Sequence, residues 1–441
     1  MARQLFGTDG VRGRAGHFLT ADLALRLAQA AVRHLEHERP QVLIVRDTRE
    51  SGEMLESAIA AGVAAAGGDA LLAGVLPTPA APLLVRRHGL QLAAVISASH
   101  NPYEDNGIKL FAADGFKLHD DTEHEIEAEL ENEAPPPAGI GRVRRLHGAL
   151  EDYLRELHVR FESLDLSGRR ILLDCANGAT YRAAPEIFRR LGADVEAMAD
   201  EPDGRNINDG CGSTHLDSII ERMGGGGYDV GFAFDGDGDR VLAVDGNGAV
   251  VDGDELVALA ALHLRARDRL PGGGVAVTVM TNYGFHTAMQ EAGVEVATTA
   301  VGDRYVLDEL RRRGWALGGE QSGHIIDLGF GPSGDGIASA LLTLEALAEG
   351  DLASRDAMRK LPQRLVNIRA EDRAALQAAM DNDAVRSAIE TEHAALQGRG
   401  RVLVRPSGTE PLIRVMVEAP SQDETDQVCE RLRSAVEQVL R

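Results

Sequence analysis

The stretch DGDGDR places Asp235, Asp237 and Asp239 in alternation with glycines, directly after an apolar run. Three carboxylates this close repel one another unless a cation neutralises them, and their hard oxygens suit Mg2+. The glycines let the backbone turn the carboxylates inward. An EF-hand fails, because the sixth position is Arg240 instead of glycine and the twelfth is Gly246 instead of glutamate. A solvated acidic turn is the plainer alternative. It is preferred at Asp252 and Asp254, which read as a helix start before ELVALAALHL, whereas at 235–239 metal binding is the stronger reading.

RPSGTEPLIR is the second chemical stretch. Arg405, Ser407, Gly408 and Thr409 offer a guanidinium, two hydroxyls and glycine-flanked N–H groups, and Arg414 lies on the following strand. Such a loop holds a phosphate dianion through backbone, hydroxyl and bidentate arginine contacts, with a plain proline-glycine turn as the alternative. GEQSGH supplies Glu320, Gln321, Ser322 and His324, which suit the hydroxyl and amino groups of a sugar. VGDRY reads as a glycine turn with Asp303 capping the next helix. GTDGVRG reads as a turn between strands, from which Arg12 could reach an anionic centre. RDTRESG reads as a strand end with Ser51 capping a helix, in a supporting role.

In VISASHNPYEDNGIK an apolar run ends in two serines, Ser97 within the strand and Ser99 in the loop beyond it. A serine nucleophile needs activation, and no GxSxG elbow is present. His100 adjoins Ser99, and Lys109 follows on the same stretch. Together with a metal site elsewhere, this suits a serine that carries phosphate, because metal and cations stabilise charge on a transferring phosphoryl group. Turn chemistry before Pro102 is the alternative for His100 and Asn101.

The elements that must position these stretches repeat. QVLIVRD (41–47), a helix from Ser51, ALLAGVL (70–76), a second helix and LAAVIS (92–97) lead into SASHNP. RILLDCA (170–176), a helix over 181–191, ADVEAMA (193–199), a helix from His215 and YDVGFAF (228–234) lead into DGDGDR. GVAVTVM (274–280), a helix over 284–292, VEVATTAV (294–301), a helix over 305–313 and WALGGE lead into GEQSGH. The recurrence predicts three tandem similar α/β domains with mixed, largely parallel sheets, whose functional loops lie at the strands' carboxyl ends. ELENEAPPPAGIGR (129–142) reads as a surface linker, and after about residue 365 the pattern becomes a smaller α+β domain. The expected domains are therefore 1–150, 151–253, 254–365 and 366–441.

Composition narrows the partners. A length of 441 residues exceeds what one core supports. The formal net charge of −23 makes a nucleic-acid partner improbable. No run approaches a membrane span, and MARQLFGTDG lacks the features of a signal peptide, so a cytoplasmic location is expected. Cys175, Cys211 and Cys429 are widely separated without CxxC spacing, which argues against a disulfide framework or a thiolate metal site.

Taken in order, FGTDGVRG, SASHNPYEDNGIK, DGDGDR, GEQSGH and RPSGTEPLIR resemble the motifs of the α-D-phosphohexomutases, across essentially the whole chain. The resemblance implies four domains around a central cleft and a phosphoserine at Ser99, whose phosphate joins Asp235, Asp237 and Asp239 in binding one Mg2+ per subunit. It implies that this phosphoserine donates to the free hydroxyl of a sugar phosphate, giving a bisphosphate that turns over and rephosphorylates Ser99. SASHNPYEDNG and the glutamine of GEQSGH resemble the members that interconvert glucosamine 6-phosphate and glucosamine 1-phosphate, a step towards UDP-N-acetylglucosamine and the cell wall. Action on mannose or glucose phosphates is the alternative.

In the roles so implied, Glu320 and Ser322 grip the sugar, while Arg405, Ser407, Gly408, Thr409 and Arg414 clamp the phosphate that is not being transferred. Arg12, His100, Lys109 and Arg240 stabilise charge or move protons. Glucosamine 1,6-bisphosphate, or a similar hexose bisphosphate, is the expected activator by phosphorylating Ser99. No nucleic-acid or membrane partner is expected, and a homodimer is left open. A non-catalytic sensor would be free to lose Ser99 or an aspartate, and a phosphatase would have to admit water to the phosphoserine.

Overall fold

The apolar runs that precede the three motifs, Leu92–Ile96, Val230–Phe234 and Leu317–Gly319, are buried along their whole length, as strands covered on both faces must be. The computed structural model describes residues 5–7, 9–130, 139–348, 350–407 and 411–440. In its first sheet, β1 (Val11–Arg14), β2 (Gln41–Arg46), β3 (Asp69–Val75), β4 (Leu92–Ile96), β5 (Asp105–Ala112) and β6 (Val143–Arg145) take the order β1-β5-β4-β2-β3-β6. The second holds β7 (Arg170–Asp174), β8 (Asp194–Met198), β9 (Val230–Phe234), β10 (Val241–Asp245) and β11 (Val250–Val251) in the order β11-β10-β9-β7-β8. The third holds β12 (Gly274–Thr278), β13 (Glu295–Thr299), β14 (Leu317–Gly319) and β15 (Ile325–Asp327) in the order β13-β12-β14-β15.

All three sheets are mixed. β4 and β3 run parallel to β2, β8 and β9 parallel to β7, and β14 parallel to β12. Beside each motif-bearing strand lies an antiparallel return strand: β5 against β4, β10 against β9 and β15 against β14. Each motif is thus the connection of a β-hairpin at the carboxyl end of a parallel-sheet strand. The periodicity of the sequence does not mark the return strands. β5 carries buried Asn106 and Lys109 where an apolar period is expected, and β15 has only three residues.

Met1–Val279 with Ala297–Arg355 forms one compact unit, and Met280–Val296 with Asp356–Arg441 another. In the second, β16 (Gln363–Arg369), β17 (Arg401–Pro406) and β18 (Leu412–Glu418) form an antiparallel sheet ordered β16-β18-β17. Ile413, Val415 and Val417 of β18 pack with Val428, Leu432 and Val436 of the terminal helix Gln422–Leu440. The helix Tyr283–Glu291 is tied to this sheet where Tyr283 N donates to buried Glu418 Oε2 at 2.8 Å.

Local helix chemistry agrees with the reading at Asp252, which forms a capping box with Glu255 at the start of Gly253–Ala266. It differs at two others. Ser51 makes no side-chain cap; its Oγ accepts from Asn106 Nδ2 at 2.9 Å. Gly302 is the N-cap of Asp303–Arg313, and the Asp303 carboxylate instead accepts from Lys117 Nζ at 2.6 Å. Among the described residues no helix is long and apolar enough to cross a membrane. Cys175, Cys211 and Cys429 are free and buried.

Candidate active site

Ser97 and Ser99 follow β4 and both are buried. Ser99 occupies the left-handed region at φ 51°, a conformation that costs a non-glycine residue about 1–2 kcal/mol. From there its Oγ donates to Asp235 Oδ2 at 2.5 Å and lies 3.3 Å from His100 Nδ1. Burial, then the charges of Arg240 and Arg12, depress the His100 pKa and favour a neutral imidazole. Ser97 Oγ points the other way and donates to Asp47 Oδ2 at 2.6 Å.

Asp235, Asp237 and Asp239 are buried, and one carboxylate oxygen of each lies within 4.8 Å of the others. The turn demands its glycines. Gly238 has φ 73°, and a Cβ on Gly236 would stand 2.7 Å from the Ser99 carbonyl oxygen. Asp235 Oδ1 accepts from Arg240 N at 3.1 Å, and Asp237 Oδ2 accepts from Thr78 Oγ1 at 2.7 Å. Among the described residues, Asp237 Oδ1 and Asp239 Oδ1 are buried with no hydrogen-bond partner. Burial, then Asp239 and Asp237, push the Asp235 carboxyl well above its ordinary range. Crowded, buried carboxylates with unpartnered oxygens beside a hydroxyl are a donor set that fits a hard divalent cation.

A closed circuit of charges surrounds the triad. Lys109 Nζ, from β5, stands 2.9 Å from Asp237 Oδ2, 3.2 Å from Asp9 Oδ2 and 3.5 Å from Asp239 Oδ2. Asp9 Oδ1 accepts from Lys117 Nζ at 2.5 Å, and Lys117 also donates to Asp303. His324 Nε2 is 3.8 Å from Asp303 Oδ2, and its Nδ1 is 3.6 Å from Asp239 Oδ1, which returns the circuit to the triad. Burial lowers the His324 pKa, but Asp239 and Asp303 outweigh it and the net shift is upward. Arg12 pairs with Asp9, and Arg240 Nε lies 3.9 Å from Asp239 Oδ1.

The sugar-type loop is docked onto the metal-type loop through backbone. Val241 N donates to the Gly323 carbonyl at 3.0 Å, and Gly336 N to the Gly238 carbonyl at 2.9 Å. Glu320 is buried, with Oε1 accepting from Gly302 N at 3.0 Å, and Ser322 is exposed at the turn.

In the second compact unit, Arg405 of β17 stands directly opposite Arg414 of β18. Burial, then the Arg414 charge, depresses the Arg405 pKa, and Arg414 Nε is buried with no hydrogen-bond partner among the described residues. Two guanidiniums at one register position repel, and an anion between them offsets this. Ser407 N donates to the Leu412 carbonyl at 2.8 Å. Gly408 and Thr409 lie outside the described residues.

The structure therefore gathers Ser99, His100, Arg12, Lys109, Arg240 and the three aspartates, with Glu320 and Ser322 on the adjoining hairpin. It adds Asp9, Lys117 and Asp303, which the sequence did not single out as site residues, and it turns His324, read in the sequence as suited to a sugar, towards Asp239 and Asp303. Asp9 and His324 stand inside the motifs GTDGVRG and GEQSGH, and Asp303 reads as a cap. Lys117 carries no motif signal, and only topology brings it in.

The chain matches phosphoglucomutase/phosphomannomutase alpha/beta/alpha domain I over residues 3–136, domain II over 151–248, domain III over 252–365 and the C-terminal domain over 365–435. Four such domains in this order define the class of phosphohexomutases, isomerases that move a phosphoryl group on a sugar. A curated relative from Moorella thermoacetica, named phosphoglucosamine mutase, is 48% identical over 437 residues, covering 96% of this chain and 97% of that one. The fold matches a phosphoglucomutase/phosphomannomutase family protein from Burkholderia thailandensis at TM-score 0.82 and 23% identity, over 98% and 97% of the two chains. It also matches Aspergillus fumigatus N-acetylphosphoglucosamine mutase, solved with GlcNAc-6P and magnesium, at TM-score 0.67 and 18% identity, over 99% and 96%. The chain belongs to the phosphoglucomutase/phosphomannomutase family.

Proposed function

We propose that the chain interconverts glucosamine 6-phosphate and glucosamine 1-phosphate through a phosphoserine at Ser99 and a glucosamine 1,6-bisphosphate. One observation carries the chemistry: the Ser99 hydroxyl lies 2.5 Å from Asp235 in a buried aspartate triad. The choice of sugar rests on the relative that is 48% identical over nearly the whole chain and named for that substrate.

In the proposed reaction the P–O bond to Ser99 Oγ breaks as one forms to the free sugar hydroxyl. The hydroxyl proton passes to a neighbouring base, and Ser99 Oγ regains a proton. After the bisphosphate reverses its orientation, the same exchange run backwards restores the phosphoserine and releases the isomer. Asp235, Asp237, Asp239 and the Ser99 phosphate would hold Mg2+, which when bound neutralises charge on the transferring group. Neutral His100, 3.3 Å from Ser99 Oγ, is suited to hold a proton there, and Lys109, Arg12 and Arg240 to balance phosphate charge. Glu320 and Ser322 are assigned to the sugar. Arg405, Ser407 and Arg414, with Gly408 and Thr409, are assigned to the phosphate that is not being transferred.

A hexose bisphosphate would activate the enzyme by phosphorylating Ser99. The enzyme would work in the cytoplasm, as a monomer or a homodimer, with domain boundaries near residues 150, 253 and 365. The test is turnover of glucosamine, glucose and mannose phosphates side by side, with intact mass and phosphopeptide mapping. Fastest turnover of glucosamine 6-phosphate and phosphate on Ser99 are expected. No turnover of that substrate, phosphate on Ser97, or full activity of Ser99→Ala would overturn the reading.

A further inference from the structure

The backbone of the Ser99 loop is gripped from both sides by side chains that never reach the reacting hydroxyl. Arg49, with no exposed side-chain surface, donates Nη2 to the carbonyls of Ser99 and Asn101, both at 2.9 Å, and Nη1 to that of Pro102 at 3.4 Å. Asp47 aims it: Asp47 Oδ2 is 3.1 Å from Arg49 Nε, and Asp47 Oδ1 accepts from Arg49 N at 3.0 Å. Asp47 Oδ2 also takes the Ser97 hydroxyl at 2.6 Å, and Ser97 Oγ in turn accepts from Ser99 N at 2.9 Å.

The fourth member comes from the other side. Asn208, from the segment between β8 and β9, donates Nδ2 to the same two carbonyls, Ser99 at 2.9 Å and Asn101 at 3.1 Å. It packs directly on the metal-type turn, since a Cβ on Gly236 would lie 2.7 Å from Asn208 Nδ2. One side chain therefore references both the Ser99 backbone and the turn between Asp235 and Asp237.

We infer that Asp47, Arg49, Ser97 and Asn208 are positioning residues, a clasp that holds Ser99 in its left-handed conformation and so registers its hydroxyl against the aspartate triad. This rests on Ser99 being the phosphoryl carrier. Two features distinguish a clasp from ordinary scaffold. Both the N–H and the C=O of Ser99 are fixed, which sets the direction of its Cα–Cβ bond at a residue whose φ of 51° would otherwise relax. A fully buried guanidinium, costly to desolvate, is directed at three carbonyls beside the nucleophile. RDTRESG, with only a supporting role in the sequence, therefore supplies two of the four members.

The test uses the full-length, Mg2+-loaded protein. Ser97→Ala removes the acceptor for Ser99 N, and Asn208→Asp keeps the shape while turning a donor into an acceptor facing two carbonyls. For each, kcat on glucosamine 6-phosphate is expected to fall on the order of 10- to 100-fold, the effect of a small misplacement of reacting groups, with KM changed by less than about twofold. Arg49→Lys is a third variant, and the two milder ones decide the matter if it does not fold. Thermal unfolding and circular dichroism establish the folded fraction, and kcat is counted per folded molecule. Folded variants with kcat within about twofold of the parent, or a rise in KM at unchanged kcat, would overturn the clasp while leaving the proposed reaction intact. A parent that turns over no hexose phosphate would overturn the reaction itself and the clasp with it.

Discussion

Lys109 Nζ and Asp237 Oδ2 meet at 2.9 Å, with both side chains only 1% exposed. Lys109 lies on a return strand of the first sheet and Asp237 on a hairpin of the second, so the pair joins two sheets at the triad. Coulombic attraction alone rarely offsets the desolvation of two such ions. Here Thr78 satisfies the same carboxylate, and Asp9 and Asp239 share the ammonium.

Replacing Lys109 with methionine leaves Asp9, Asp237 and Asp239 facing one another in a buried space. The expected cost is about 3–5 kcal/mol of stability, read by urea unfolding of the metal-free protein, with activity lost as well. A change under about 1 kcal/mol would show that these carboxylates are solvated or protonated in the native state.

How much of this was legible in the sequence follows from where each signal resides. Asp235, Asp237 and Asp239 fall in one turn, so their type and spacing announce them. Buried parallel strands announce themselves as unbroken apolar runs, and the three tandem units follow. Return strand β5 does not, because its polar positions Asn106 and Lys109 face partners on other elements, and β15 is too short at three residues. Lys117, Asp303 and Asn208 matter through side chains over a hundred residues away in sequence, and pattern reading has no access to such pairings. The reading of Ser51 and Asp303 as caps shows the same limit, since local propensity is overridden by a tertiary partner.

Gly236→Ala tests how closely the two loops approach. Its Cβ would meet Ser99 O and Asn208 Nδ2, both at 2.7 Å, and Ile207 Cδ1 at 2.8 Å. Overpacking of this kind costs about 1–3 kcal/mol, and activity is expected to fall more than stability because the nucleophile itself is displaced. Gly224→Ala is the control, since a Cβ there has nothing within 4 Å. Equal behaviour of the two variants in thermal unfolding and in turnover would contradict the close approach.

Divalent cation is expected to stabilise the protein as well as activate it. Asp237 Oδ1 and Asp239 Oδ1, buried without a hydrogen bond among the described residues, are placed to accept such a cation. By linkage, saturation at a hundredfold over Kd adds about 2.7 kcal/mol, visible as a rise in Tm on Mg2+ titration that EDTA reverses. Asp239→Asn is expected to abolish most of that rise. An Mg2+-independent Tm with undiminished activity in EDTA would exclude the triad as a metal site.

Asp335 gives a pH dependence whose sign can be worked out in advance. It caps the helix Gly336–Leu347 by accepting from Ala338 N at 2.9 Å, and takes the Tyr153 hydroxyl at 2.9 and 3.0 Å. Burial outweighs these hydrogen bonds and pushes its pKa up to about 6, from 3.8. The folded state therefore holds this proton longer than the unfolded state does. Its stabilising contribution is fully present below pH 3.8 and is lost as pH rises through about 6. The span corresponds to about 3 kcal/mol at most. Asn in this place keeps the cap and an acceptor for Tyr153 but does not titrate. The difference in unfolding free energy between parent and Asp335→Asn, taken from urea curves at pH 4, 5, 6 and 7, cancels the other titrating groups. It is expected to shift in favour of the asparagine variant as pH rises towards 6 and then level off. A difference that stays constant across that range would place the Asp335 pKa at its ordinary value.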